Sequence, residues 1–211
     1  MLEHIKNYFK MEYEKNSQTI IIEGPVSEET LNTYTFDEHL NAFRRPNDQF
    51  EALKEIASLE EGRIIVARVD NNIIGYVTFH RPDEFERWSE GNHPFILELG
   101  AVEVSDSYRN LRIGQNMLKL SMMDEYMENY IVLTTEYYWH WDLKGTGLDV
   151  YDYKQLMINL MAVVGFEVYM TNDPEITSHP ANTLMARVGK HITTEQQLIF
   201  DEIRFKHRYF F

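Results

Sequence analysis

Two carboxylates and a basic turn hold most of the chemistry in this sequence. Glu98 and Glu103 lie in one apolar stretch, Leu97-Glu98-Leu99-Gly100-Ala101-Val102-Glu103-Val104. It leads through Ser105-Asp106-Ser107-Tyr108 into Arg109-Asn110-Leu111-Arg112-Ile113-Gly114-Gln115. A carboxylate placed on a strand beside a reacting amine can take its proton, as general-base chemistry requires. A helix entered through a tight turn presents unpaired N–H groups and the positive end of its dipole, a ready seat for phosphate. Arg109, Arg112 and Lys119 place basic side chains nearby in an otherwise acidic chain. The plainer reading is an ordinary strand–turn–helix in which each Glu is hydrogen-bonded or ion-paired. His140 and His179 have no ligand spacing to a second His or carboxylate, so no metal site is expected.

The elements that position these residues follow from periodicity and punctuation. Thr19 to Glu23 is a β-branched run closed by Gly24-Pro25, and Ser27 caps a short helix with Glu28 and Glu29 in its first turn. Asn47 opens a helix through Phe50, Leu53, Ile56 and Leu59. Arg63 to Val69 and Ile73 to His80 form a hairpin around Asp70-Asn71-Asn72. Phe95 to Val104 reads as a buried strand, Ile113 to Met127 as a helix and Tyr130 to Thr135 as a strand. Met117, Leu120, Met123 and Met127 form that helix's core-facing stripe. Asp149 to Val164 is helical, Phe166 to Thr171 a strand, and Ala181 to Val188 and Thr194 to His207 are two further helices. The fold class is therefore mixed α/β, with an antiparallel front half and a β-α-β unit behind it. No linker, repeat or low-complexity tract interrupts the chain, so residues 1–211 are expected to form a single domain.

Composition removes several classes of function. The 211 residues contain no cysteine, which excludes disulfides, thiolate zinc sites and a covalent Cys intermediate, and fits a reducing cytoplasm. No run reaches the roughly 18 apolar residues of a membrane helix, and Met1 to Lys10 does not suit a signal peptide. A cytoplasmic location is expected. Twenty Lys and Arg against 34 Asp and Glu give a formal charge of −14, a poor match for nucleic acid or an anionic membrane. A basic or lysine-presenting partner suits that charge, which also serves solubility.

The Arg109-to-Gly114 segment resembles the acyl-CoA-binding signature of the Gcn5-related N-acetyltransferases (GNAT). In that signature a Gln or Arg is followed by two residues, Gly, one residue, and Gly or Ala. Arg109 and Gly114 occupy its ends, while Arg112 stands where the family has its first glycine. An Arg there can still donate its backbone N–H if its φ is negative, and its side chain can add a charged contact. Ile74-Gly75-Tyr76-Val77 and Gly165-Phe166 resemble the family's neighbouring elements. Longer stretches extend the resemblance over nearly the whole chain, to the acetoin-utilisation members of the family. They are Trp88-Ser89-Glu90-Gly91-Asn92, Thr134-Thr135-Glu136-Tyr137-Tyr138-Trp139-His140-Trp141-Asp142, and Asp173-Pro174-Glu175-Ile176-Thr177-Ser178-His179.

The resemblance implies a central, mostly antiparallel twisted sheet with a β-α-β acyl-CoA-binding core. It implies acetyl-CoA as cosubstrate, with Val102, Val104 and Arg109 to Gln115 (Arg109, Asn110, Leu111, Arg112, Ile113, Gly114, Gln115) at its binding site. It further implies a protein-lysine acetyltransferase that inactivates acetyl-CoA synthetase. Two other readings stay open: a small-amine acetyltransferase, since fold does not select the acceptor, and a non-catalytic acetyl-CoA-responsive binding module.

A lysine of pKa near 10.4 is neutral to only about one part in several thousand at pH 7, roughly 4–5 kcal/mol uphill, so a base is required. The family's carboxylate base lies eleven residues before the signature's Gln or Arg, which lands on Glu98. Glu103 is the second candidate, and strict alternation would put it on the opposite face unless a bulge intervenes. A backbone N–H of Val102 or Val104 is the expected oxyanion donor. The family often places a general-acid Tyr where this chain has Met161. The run Tyr137-Tyr138-Trp139-His140-Trp141 is either core filling or a wall for a lysine stem.

Overall fold

The computed structural model describes residues 3–109 and 111–206. They fall into two units, and strand β6 passes from one to the other between Glu98 and Leu99.

The first unit holds residues 3–80 and 99–127. β1 (Phe9–Lys15) and β2 (Gln18–Gly24) form an antiparallel hairpin. Its two-residue turn puts Asn16 and Ser17 at φ 51° and 61°, the mirror-image turn whose twist matches the flanking strands. α1 (Glu28–Leu31) starts at Ser27, whose hydroxyl accepts the Thr30 N–H. β3 (Thr35–Phe36) follows, then α2 (Pro46–Ser58). α2 begins one residue before the expected Asn47, because Pro46 is pre-set for a first helical position. β4 (Arg63–Val69) and β5 (Asn72–His80) pair antiparallel, and β2 pairs with β4. β6 (Ile96–Val104) follows β5 in the strand order, and α3 (Ile113–Ser121) follows β6 in the chain. Leu31, Leu40, Leu53, Ile64, Val66, Ile73 and Tyr76 are wholly buried and pack as one core. Each aliphatic among them stabilises the fold by about 1.5–3 kcal/mol on burial.

α3 is shorter than its sequence suggests. It closes at Met122, and the Asp124 carboxylate accepts the N–H groups of Tyr126 and Asn7 at 3.0 and 3.2 Å, offering the backbone an alternative to the helix. Met117, Leu120 and Met127 are buried as expected, but Met123 lies past the helix end and is 50% exposed.

The second unit holds residues 81–98 and 128–206 of the described chain. β7 (Ile131–Glu136) runs parallel to the start of β6, with Ile96 opposite Ile131 and Glu98 opposite Leu133. The β6-α3-β7 connection is the β-α-β unit anticipated from sequence. α4 (Leu143–Thr146), α5 (Val150–Ala162), β8 (Glu167–Tyr169) and α6 (Pro174–Thr177) come next, then β9 (Thr183–Val188) and α7 (Thr194–Arg204). β9 pairs antiparallel with both β7 and β8.

Residues 181–188 are the clear error of the sequence reading, which made them a helix. Ala, Leu, Met and Arg favour helix locally, but a position between two strands satisfies the backbone on both edges and overrides that preference. The core of this unit gathers Trp88, Phe95, Ile96, Ile131, Leu133, Leu184, Phe200 and Ile203.

Candidate active site

The turn between β6 and α3 brings the chain into the helix through a short 3-10 turn and a left-handed residue. Asp106–Tyr108 form one 3-10 turn, and Arg112 then enters the helix at φ 60° and ψ 20°. The negative φ on which the sequence reading made the Arg112 substitution conditional is not met. This turn needs a left-handed residue, and an arginine adopts the conformation that a glycine takes freely, at roughly 1–2 kcal/mol. The Arg112 side chain makes no cap hydrogen bond to α3, and among the described residues none is seen to take the N–H groups of its first turn. The Asn116 N–H closes the first turn on the Arg112 carbonyl at 2.9 Å.

Gly114 faces β6: a Cβ there would sit 3.6 Å from Val102 and 3.8 Å from Val104. Ile113 is buried, Leu111 and Gln115 are half-buried, and the Arg112 side chain is exposed. Arg109 is ion-paired with Asp106 at 2.6 Å. Asn110 lies outside the described residues. A helix end entered through a left-handed residue whose side chain does not cap it fits a pyrophosphate.

The two glutamates have different surroundings. Both Glu103 oxygens are engaged: Oε2 accepts the buried Tyr76 hydroxyl, and Oε1 accepts the Ala42 N–H at 2.8 Å. The Tyr76 phenol is pushed up, first by burial and then by the Glu103 charge. Glu98 is 9% exposed and has no hydrogen bond or ion pair among the described residues. Burial, helped by the charge of Asp83, pushes its carboxyl up to about 7. It is thus poised to exchange a proton near neutral pH.

Strict alternation fails along β6. A Cβ on Gly100 would collide with the His80 imidazole and lie 3.1 Å from Thr78 Oγ1, while Glu103 meets Tyr76. Tyr76, Thr78 and His80 share one face of β5, whose pairing with β4 is regular there. Gly100 and Glu103, three residues apart, therefore face the same side, so one residue between them breaks the alternation.

Met161 is 1% exposed in the core, so the position of the family's tyrosine offers no acid. Tyr151 is exposed, and Tyr153 stacks on Trp141 with centroids 5.0 Å apart. In the Tyr137-to-Trp141 segment, Tyr137 stacks on Trp139 at 4.8 Å and Trp139 is 46% exposed, which core filling does not explain. His140 accepts the Trp139 indole N–H at 3.1 Å, and His179 accepts the Ala181 N–H at 3.1 Å, so both have local structural partners.

Glu136 was missed at the sequence level. Burial pushes its carboxyl up to about 7, against the stabilising indole N–H of Trp141 at 3.0 Å. Nothing in its sequence context except the adjacent aromatic run marks it.

Residues 28–140 match the Acetyltransferase (GNAT) family. The acetoin utilization protein AcuA of Bacillus subtilis (strain 168) is 52% identical over 210 residues, covering 100% of both chains, and that of Bacillus licheniformis is 50% identical over the same span. The crystal structure of an acetoin utilization protein from Exiguobacterium sibiricum superposes with a TM-score of 0.94 at 54% identity, covering 97% of each chain. A diaminobutyrate acetyltransferase of Paenibacillus lautus, solved with its substrate and coenzyme A, shares the fold at TM-score 0.51 and 12% identity, over 83% of this chain and 98% of that one. An open helix terminus on a β-α-β unit and full-length likeness to such relatives lead to one conclusion: the chain belongs to the acetyltransferase (GNAT) family, among its acetoin utilization proteins, and is an acetyl-CoA-dependent N-acetyltransferase.

Proposed function

We propose that the chain transfers the acetyl group of acetyl-CoA to a lysine of acetyl-CoA synthetase, inactivating it, and so serves acetoin and acetate metabolism. In this reading residues 1–211 act as one acetyltransferase domain in the cytoplasm. Support for the acceptor comes from the full-length likeness to acetoin utilization proteins. Chemical logic adds to it: a synthetase whose product is the acetyl donor is switched off in proportion to that product.

The observation that carries the reaction is Glu98, a buried carboxyl without a donor among the described residues, raised to about 7. Glu98 takes the first proton from the lysine ammonium, and the freed Nζ attacks the thioester carbonyl carbon. A C–N bond forms, and the oxyanion is held by the N–H of Val102 or Val104. Collapse breaks the C–S bond, and CoA leaves as thiolate, a good leaving group that needs no acid from position 161. The second nitrogen proton passes to the thiolate or to water. Val102, Val104 and the segment Arg109 to Gln115 bind the donor, with the pyrophosphate on the first turn of α3. Glu103, held by Tyr76 and Ala42, keeps the strand in place.

Intact-mass spectrometry of acetyl-CoA synthetase incubated with this protein, with and without acetyl-CoA, tests the reading. The expected result is one added acetyl group with loss of synthetase activity, abolished in Glu98→Gln. Acetylation of small amines alone would replace the acceptor. Inhibition of the synthetase without a mass change would replace catalysis by docking.

A further inference from the structure

The loop between β5 and β6 is not consumed by the transfer chemistry, yet it holds a phenyl ring out of the protein. Pro82 and Trp88 are buried, while Phe85, three residues from each, is 91% exposed. No other large apolar side chain among the described residues exceeds 74%. Scattered exposed apolar groups are ordinary, but this one sits on a fixed turn. The Asp83 carboxylate accepts the Phe85 N–H at 2.9 Å, and the Asp83 carbonyl accepts the Glu86 N–H at 3.0 Å. This is an Asx turn closed just beneath the ring. The Ser89 hydroxyl and N–H both donate to the Glu86 carbonyl, at 2.8 and 3.2 Å.

The footing of the loop is equally tied down. Arg81 donates to Asn92 at 3.0 Å, Arg87 is ion-paired with Asp173 at 2.8 Å and donates to Asn172 at 2.7 Å, and Trp88 packs in the core. The stretch Trp88-Ser89-Glu90-Gly91-Asn92, singled out in the sequence, is thus part of the base that holds Phe85 outward. A tip ordered in advance loses little freedom on docking, and exposed aromatics that enter a partner's pocket dominate binding energy. Asp83 and Glu84, both exposed, directly precede the ring, and the Glu84 carboxylate has no partner among the described residues.

The loop is also rooted near the reacting groups. It leaves β5 at His80, whose imidazole a Cβ on Gly100 would strike, and Gly100 is two residues past Glu98. The charge of Asp83 reaches the Glu98 carboxyl, and Phe85 is two residues beyond Asp83, at most about 7 Å of chain.

We propose that Phe85 is a docking anchor for the acceptor protein, seated in an apolar pocket rimmed by basic residues close to the acetylated lysine. This rests on the lysine-acceptor reading above and adds how the partner is recognised. Charge complementarity selects the occupant: Asp83 and Glu84 beside the ring, on a chain of formal charge −14, repel a second copy of the chain and attract a basic rim. A small amine offers no pocket for the ring to enter.

The test uses the full-length protein and purified acetyl-CoA synthetase. Binding is measured by calorimetry without acetyl-CoA, and acetylation rates are followed against synthetase concentration. Phe85→Ser should weaken binding about thirtyfold and raise KM by a similar factor, with kcat kept within about twofold. Phe85→Trp should retain most of the affinity. Glu84→Lys should weaken binding about fivefold and flatten its dependence on salt. All three variants should melt with the wild type, because neither side chain packs on the core. Unchanged affinity and KM in Phe85→Ser would overturn the proposal while leaving the lysine-transfer reading intact, and so would a synthetase that is acetylated without measurable binding. A synthetase that the wild type neither binds nor acetylates would overturn both. Binding lost in Phe85→Ser, when the wild type binds but transfers no acetyl group, would uphold the anchor and reject the transfer.

Discussion

Replacing Glu98 by Gln should alter activity and stability in ways that both trace to one buried proton. The carboxyl's ordinary pKa of 4.5 rises to about 7 in the folded chain. Below pH 4.5 it is neutral in both states and costs nothing. Between pH 4.5 and 7 the unfolded chain releases the proton while the folded chain keeps it, so stability falls as pH rises. The full penalty, ~3 kcal/mol at 1.36 kcal/mol per pH unit, is reached above pH 7. Glu98→Gln removes that penalty, so urea unfolding from pH 4.5 to 8 should show the variant equal to wild type at the acid end and more stable at the alkaline end. In the same variant kcat/KM should fall by about 10²–10⁴-fold and lose its rising limb near pH 7. Parallel stability curves would show that Glu98 is not held protonated by burial. A loss under tenfold with the limb retained would place the base elsewhere.

Arg112→Gly relieves the left-handed strain of roughly 1–2 kcal/mol but adds unfolded-state freedom of about 0.4–1 kcal/mol, so the urea midpoint should rise slightly. Arg112→Val should lower it, because a β-branched residue fits that conformation worst. Tyr76→Phe leaves Glu103 with the Ala42 N–H alone and should cost about 1–3 kcal/mol in denaturant titration, with kcat/KM changed less than threefold. Gly189→Ala would drive a Cβ into the Glu128 carbonyl, and a loss of about 1–3 kcal/mol in the same titration is expected.

Much of the fold was legible because its signals are local. Asp149 caps α5 by accepting the Tyr151 and Asp152 N–H groups, Asp70 turns the β4–β5 hairpin at φ 51°, and Thr193 with Gln196 makes a capping box for α7. Strand β9 was misread because its identity depends on partners from distant sequence, β7 and β8. β1 was not anticipated at all. Its residues Phe9–Lys15 alternate half-buried and exposed with Lys and Glu, and only the pairing with β2 organises them. At the site, the resemblance to the family's signature pointed to the Arg109–Gly114 turn and, counted back from it, to Glu98. The left-handed backbone at Arg112 and the environment of Glu136 depend on tertiary packing, which spacing does not carry.

Glu98 and Glu103 show why residue type alone cannot assign a catalytic role. Both are buried glutamates on the same strand. Glu103 meets a phenol and a backbone N–H, which occupy both of its oxygens and tie its side chain to β5 and to the Ala42 backbone. Glu98 is buried and feels the repelling charge of Asp83, and both raise its carboxyl to about 7, so holding or releasing a proton near pH 7 costs it little. A base must change protonation state twice in every cycle and must have an oxygen open to the substrate, and both Glu103 oxygens are already taken. In the proposed mechanism Glu103 is the structural acid and Glu98 the working one, set apart by the donors that Tyr76 and Ala42 supply to the first and that no described residue supplies to the second.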